Sequence, residues 1–136
     1  MKILFVCKYN RFRSRVAEGI FNKLNTNVGI TCESAGIFLD KNRPYICDNV
    51  LIAMKNLGYD LFGDFSLVSS LNLNNYDKIV VVAGDVDNSS FDGFDGEIVN
   101  WNILDCSEDD VESIKKSIGS IEANVGKLLE DLNFGN

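Results

Sequence analysis

Histidine is absent from this chain of 136 residues, and its four cysteines (Cys7, Cys32, Cys47 and Cys106) form no CxxC pair. A zinc-type cluster therefore lacks its usual donors, and neither a metal nor another cofactor is expected. The single proline, Pro44, leaves no proline-rich linker, and no repeat or low-complexity stretch breaks the chain. One domain spanning residues 1–136 is expected, long enough to bury a core. No apolar run approaches the length that crosses a bilayer, so no membrane contact is expected. The opening MKILFVC is too short for a signal peptide and runs straight into polar residues. Positive charge is scarce: 13 Lys and Arg against 20 Asp and Glu leave a net charge of −7. Duplex binding needs a basic face, so nucleic acid is not an expected partner. With thiols free, the expected compartment is the reducing cytoplasm.

What positive charge there is collects in one place. The stretch VCKYNRFRSR sets Cys7 directly after the apolar run Ile3-Leu4-Phe5-Val6 and follows it with Lys8, Arg11, Arg13 and Arg15. That cluster is too small for a nucleic acid and suits a small anion. Lys2–Val6 reads as a buried strand. From Ser14 to Leu24, Val16, Ala17, Ile20, Phe21 and Leu24 recur at helical spacing, with Ser14 as the expected N-cap. Val28–Ser34 reads as a second strand, closing at Ala35-Gly36. Pro44 is expected to open a helix carrying Val50, Leu51, Met54 and Leu57, which Gly58 ends. Lys78–Ala83 and Glu97–Trp101 read as the third and fourth strands. Val111, Ile114, Ile118, Ile121, Val125, Leu128 and Leu132 line one side of a last helix.

Strands that alternate with helices, without hairpin signals, imply parallel pairing through crossovers. The expected architecture is α/β: a four-stranded parallel doubly wound sheet with helices on both faces and an anion-binding loop after strand 1. In such sheets the functional crevice lies beyond the carboxyl ends of the strands. Cys7, Ala83-Gly84 and Trp101–Asp105 should therefore share one rim.

Cys7 and Arg13 are spaced Cys-x5-Arg between a strand and a helix. A loop entering a helix N-terminus can present several backbone N–H groups to a tetrahedral oxyanion. Arg13 would close that cradle with a bidentate grip. The same positive field would favour a thiolate at Cys7, and the Ser14 hydroxyl would donate to the sulfur. Asn10 tolerates the left-handed backbone that so tight a loop often requires.

These residues resemble the low-molecular-weight protein tyrosine phosphatases. The resemblance covers ILFVCKYNRFRSRVAEGIF, with Cys7, Asn10, Arg13 and Ser14 as its signature. It continues through ESAG (33–36), NLGYDL (56–61), YDKIVVV (76–82) and WNILD, ending at Asp105. It implies a phosphomonoester hydrolase, with protein-tyrosine-phosphatase activity, acting through a cysteinyl-phosphate intermediate. Cys7 would be the nucleophile, Arg13 the phosphate clamp and Asp105 the general acid. Lys8, Tyr9, Asn10, Arg11, Phe12, Arg13 and Ser14 would form the phosphate-binding loop. The implied substrates are a phosphotyrosine protein or a small aryl phosphate, with inorganic phosphate as product. Tyr9 replaces a glycine usual in the family, and a positive φ there would strain it. Phe12 replaces a cysteine, and Cys106 follows Asp105 where the family has proline. Asp109 and Asp110 are outside candidates for the acid, and Phe38 or Tyr9 for the aromatic lining the pocket.

Two rivals share the oxyanion loop. One is an arsenate reductase using an external thiol, since the loop GDVDNSSFDG (84–93) holds no relay cysteine. The other is a non-catalytic module that binds an oxyanion or a phosphoprotein. Asp85 and Asp87 read as loop residues, and Cys32, Cys47 and Trp101 as packing residues.

Overall fold

β1 (Lys2–Cys7) is buried along all but its first residue, as its unbroken apolar run requires. In the computed structural model, which describes residues 1–61 and 63–134, it is an inner strand of a four-stranded parallel sheet ordered β2-β1-β3-β4. The partners are β2 (Thr31–Gly36), β3 (Lys78–Val81) and β4 (Glu97–Asn100). Cys7 lies opposite Gly36, Val6 opposite Val81, and Val81 opposite Asn100. The four carboxyl ends thus lie level, and the segments that follow them share one rim, as the sequence implied.

Side chains alternate across the sheet and divide the core in two. Ile3, Phe5, Val80 and Val82 face α1 (Arg13–Leu24), α2 (Asp48–Asn56) and α3 (Val111–Phe134). Leu4, Val6, Ile79 and Val81 face the other way, against Tyr76, Val68 and Phe91. Helical cover is present on both faces but unequal. All three α-helices pack on one face, and three single-turn 3-10 segments (Val68–Ser70, Leu73–Asn75 and Asn88–Phe91) serve the other.

Several boundaries differ from expectation. α1 starts at Arg13 with Phe12 as its N-cap; Ser14 lies inside the helix, its hydroxyl already engaged by Cys7 and Asn10. α2 begins at Asp48 after an extended Cys47, four residues later than a Pro44 start would place it. Val28 is 98% exposed and precedes β2 rather than joining it. β3 and β4 each close before the expected residue, although Val82 N–H still donates to the Val6 carbonyl and Trp101 N–H to that of Val81. Gly58 ends α2 at φ +86° as anticipated. α3 buries Ile114, Ile118, Ile121, Val125 and Leu128, each side chain worth about 1.5–3 kcal/mol on burial.

Candidate active site

The loop 8–12 turns the chain from β1 into α1, and one residue carries its tightest bend. Asn10, at φ 55°, is the one non-glycine residue with positive φ among the described residues. Its amide is wholly engaged: Nδ2 donates to Ser14 Oγ (2.7 Å) and Ser34 Oγ (3.1 Å), and Oδ1 accepts from Ser66 N–H (3.0 Å). Asparagine suits both demands, since its short side chain tolerates the left-handed region and can bond locally. Tyr9 takes no positive φ, so replacing the family's glycine does not strain it there. Gly36 is required for a different reason. A Cβ at this position would meet the Tyr9 carbonyl carbon at 2.7 Å and the Asn10 nitrogen at 2.8 Å, so the end of β2 can press on the loop only as glycine.

Cys7 is 2% exposed, with Sγ 2.9 Å from Ser14 Oγ. When the sulfur is ionised it can only accept, so the hydroxyl must donate to it. Asn10 Nδ2, donating to the same oxygen, leaves the Ser14 proton free for that purpose. Arg13 is equally buried and is held from behind. Its Nη1 donates to the Ile103 carbonyl (2.9 Å) and lies 3.0 Å from Asp85 Oδ1, while Nη2 lies 3.4 Å from Asp85 Oδ2. Asp85, read from sequence as a loop residue, is therefore the ionic partner of the arginine. Its position at the rim after β3 was the only signal of this. Asp87 instead caps the turn that follows, accepting from Ser89 N–H.

A cavity of about 320 Å³ opens above these residues. Its lining takes Cys7, Tyr9, Arg11, Phe12 and Arg13 from the loop region, and Asp105, Cys106 and Asp109 from the segment after β4. Asp105 is exposed and accepts from the Cys106 N–H at 3.0 Å. Lys8, Asn10 and Ser14 are not part of that lining. Lys8 places its ammonium 5.5 Å from the centre of the Tyr9 ring, and the other two lie buried beneath the loop. Phe38 packs on Tyr9 with ring centres 6.3 Å apart, so the two aromatic candidates act as one wall, of which Tyr9 lines the cavity. Arg11 reaches the mouth, but its guanidinium is committed to the Tyr45 carbonyl and Glu108.

Among the described residues, none accepts a hydrogen bond from the backbone N–H groups of Tyr9 to Phe12, and Phe12, the N-cap, supplies no side-chain cap to the helix. These donors, with the start of α1, remain for an anion. Of the other cysteines, Cys47 and Cys106 line the same cavity and pack on the helical core. Burial and the neighbouring Asp105 and Asp110 push the Cys106 thiol up. Cys32 lies elsewhere, and burial beside Glu18 and Glu33 pushes its thiol far above the usual range. Trp101 packs on Phe5, ring centres 5.9 Å apart, as a packing residue should.

The chain is similar to several known proteins. The glutaredoxin arsenate reductase of Synechocystis sp. (strain ATCC 27184 / PCC 6803 / Kazusa) is 25% identical over 134 residues, covering 97% of this chain and 98% of its own. The crystal structure of arsenate reductase from Archaeoglobus fulgidus DSM 4304 superposes with a TM-score of 0.80 at 26% identity, covering 94% of this chain and 98% of that one. A low molecular weight protein tyrosine phosphatase from T. tengcongensis shares the fold, with a TM-score of 0.81 at 24% identity over 96% of this chain and 99% of its own. Residues 2–135 match the pattern described as low molecular weight phosphotyrosine protein phosphatase, and it is to that family that the chain belongs.

Proposed function

We propose that the protein is a cytoplasmic phosphomonoester hydrolase acting on phosphotyrosine proteins or small aryl phosphates, with no cofactor. The observation that carries this reading is the convergence of Cys7, Arg13 and Asp105 on one cavity, over a loop whose N–H donors are unclaimed among the described residues. The phosphoryl group would lie in the loop with two of its oxygens on Arg13, whose orientation Asp85 and Ile103 already fix. The Cys7 thiolate attacks phosphorus in line; the S–P bond forms as the P–O bond to the phenol breaks. Asp105, protonated, gives its proton to the departing phenolate oxygen, which is too basic to leave unaided. The resulting carboxylate takes a proton from water, which attacks the cysteinyl phosphate, and inorganic phosphate leaves as the thiolate returns. Ser14 and the loop N–H groups stabilise that thiolate.

Arsenate reduction with an external thiol is the second reading, and the Synechocystis and Archaeoglobus relatives support it. An arsenate ester of Cys7 would form in the same cradle, with the electrons supplied by the added thiol. Assaying an aryl phosphate beside arsenate with several thiol donors separates the two. We expect aryl phosphate hydrolysis, inhibited competitively by phosphate and vanadate. Arsenate turnover without hydrolysis would overturn the phosphatase reading, and tight phosphate binding with neither reaction would favour a binding module.

A further inference from the structure

Residues 101–107 form no regular secondary structure, and Cys106 rather than a proline ring follows Asp105. A carboxylate on such a stretch has little of its own to hold it over a nucleophile. The bond from Cys106 N–H to Asp105 is internal to the segment, while the Cys106 side chain packs on the helical core and bonds Ser117, which holds the segment to α3 but not to the loop that carries Cys7. Upstream, Ile103 is anchored through its carbonyl, which accepts from Arg13 and from Gly84 N–H. Downstream, the connections converge on Glu108. Its Oε2 lies 3.1 Å from Arg11 Nη2, and its Oε1 3.1 Å from Arg43 Nη1. Its backbone carbonyl accepts from the Asn49 amide at 2.8 Å and from the Cys47 thiol at 3.7 Å. The partners are themselves fixed: Arg11 donates to the Tyr45 carbonyl (2.9 Å), and Arg43 lies 3.1 Å from Asp40. Glu108 thus joins the anion loop, the connection from β2 to α2, and the first turn of α2.

We propose that Glu108 is the positioning residue that tethers the segment 105–109 over Cys7, so that the Asp105 proton meets the leaving oxygen. The inference rests on the proposed acid role of Asp105 and deepens it. An isolated surface ion pair contributes little, but one carboxylate shared by two anchored guanidinia forms a network, and the same residue is also bound through its backbone. Small displacements matter here, because an error of about 1 Å in a reacting group can cost about 100-fold in rate. Glu108 touches no reacting atom in this scheme. Its effect passes through Asp105, which gives it a signature that a merely stabilising ion pair lacks.

The test compares Glu108→Ala and Glu108→Gln with the wild-type protein on phenyl phosphate and p-nitrophenyl phosphate. A positioned general acid is worth about 100- to 10,000-fold, so partial misplacement in Glu108→Ala should cost about 10- to 100-fold in kcat on phenyl phosphate. Loss on the nitrophenyl ester should stay within about 3-fold, because its leaving group needs little protonation. Inhibition by inorganic phosphate should not weaken, since Cys7, Arg13 and Asn10 keep their own bonds. Placed on Asp105→Asn, Glu108→Ala should add no further loss on phenyl phosphate, as expected of two residues acting through one step. Glu108→Gln should fall between, and Arg43→Ala, which removes one arm, should repeat the pattern more weakly should Glu108→Ala fail to fold. Equal slowing of both esters, weaker phosphate inhibition, or a fully additive loss on Asp105→Asn overturns the tether. Amide exchange over residues 104–110 reads the tether without activity and should rise about tenfold in Glu108→Ala while β1 and α3 hold. Unchanged exchange overturns the tether even in an active enzyme. A wild-type protein that hydrolyses neither ester, but whose exchange rises in the variant, sinks the phosphatase reading and leaves the tether supported.

Discussion

Replacing Ser14 with alanine removes a single hydroxyl, and the geometry specifies which half of the reaction should suffer. The oxygen is 2.9 Å from the Cys7 sulfur in a fully buried setting, so water cannot restore the lost bond. A hydrogen bond to a charged group contributes about 1.5–3 kcal/mol, which corresponds to about 10- to 150-fold in rate. The sulfur carries charge before attack and again after water displaces it, but not in the cysteinyl phosphate. Loss of the donor therefore leaves attack undiminished and slows the step that expels the thiolate. Asn10 loses one acceptor but keeps Ser34, limiting the structural cost to about 1 kcal/mol, visible as a modest fall in Tm. Rapid-mixing assays with p-nitrophenyl phosphate should show kcat reduced 10- to 150-fold and a burst of nitrophenolate approaching one equivalent of enzyme. An unchanged kcat, or a slower reaction with no burst, would refute the assigned role of the hydroxyl.

Asp105→Asn should lose about 100- to 10,000-fold on phenyl phosphate and clearly less on the nitrophenyl ester; if Asp109→Asn shows that dependence instead, the acid has been assigned to the wrong carboxylate. Cys7→Ser and Arg13→Ala should lose activity on both esters alike, since attack and charge stabilisation serve every leaving group. Gly36→Ala places its methyl against backbone atoms of Tyr9 and Asn10 that cannot swing aside, and should cost about 1–3 kcal/mol in a melt together with most phosphate affinity. Tyr59 and Tyr76, buried against Glu122 and Glu33, are pushed up to about 12, so absorbance titration should show phenolate steps there. These tyrosines ionise more easily in the unfolded chain, so stability is intact below about pH 10 and falls as pH rises from there towards 12; Tyr59→Phe should flatten part of that fall.

The strand-to-helix transition at Cys7 was legible because two periods meet there: an unbroken apolar run, and then the spacing of Val16, Ile20 and Phe21. The rim followed from parallel topology alone. Asp85 was misjudged because its contact with Arg13 spans 72 residues, and sequence shows which residues share a rim but not which of them pair. Glu108 escaped notice for the same reason, its partners being Arg11, Arg43, Cys47 and Asn49. Ser14 looked like a cap from its neighbours, but the thiol competes for its hydroxyl and wins, and the helix starts two residues earlier than a Ser14 cap would place it, at Arg13. Val28 is apolar but fully outside, a reminder that single exposed hydrophobes are ordinary. The second face of the sheet left no periodic trace, because single turns bearing Val68, Leu73 or Phe91 are too short to show one.

That uneven covering divides the molecule into a strong side and a weak one. On the side of α1, α2 and α3, each helix is continuous and lends its neighbours support, so disrupting one contact requires disrupting many. On the other, the sheet is sealed by separate pieces, among which Phe91 is the large side chain held fully inside. Under heat or denaturant the first partial unfolding should expose Ile79 and Val81 while Ile3 and Phe5 remain dry. Cys7 belongs to the first of these layers, whereas Arg13 rides on a helix of the second. Cys7 stays bonded to Ser14, but Asp85, which leads into the turn bearing Phe91, would be drawn away from Arg13 before the protein as a whole unfolds, and activity should fade at a lower temperature than helical circular dichroism.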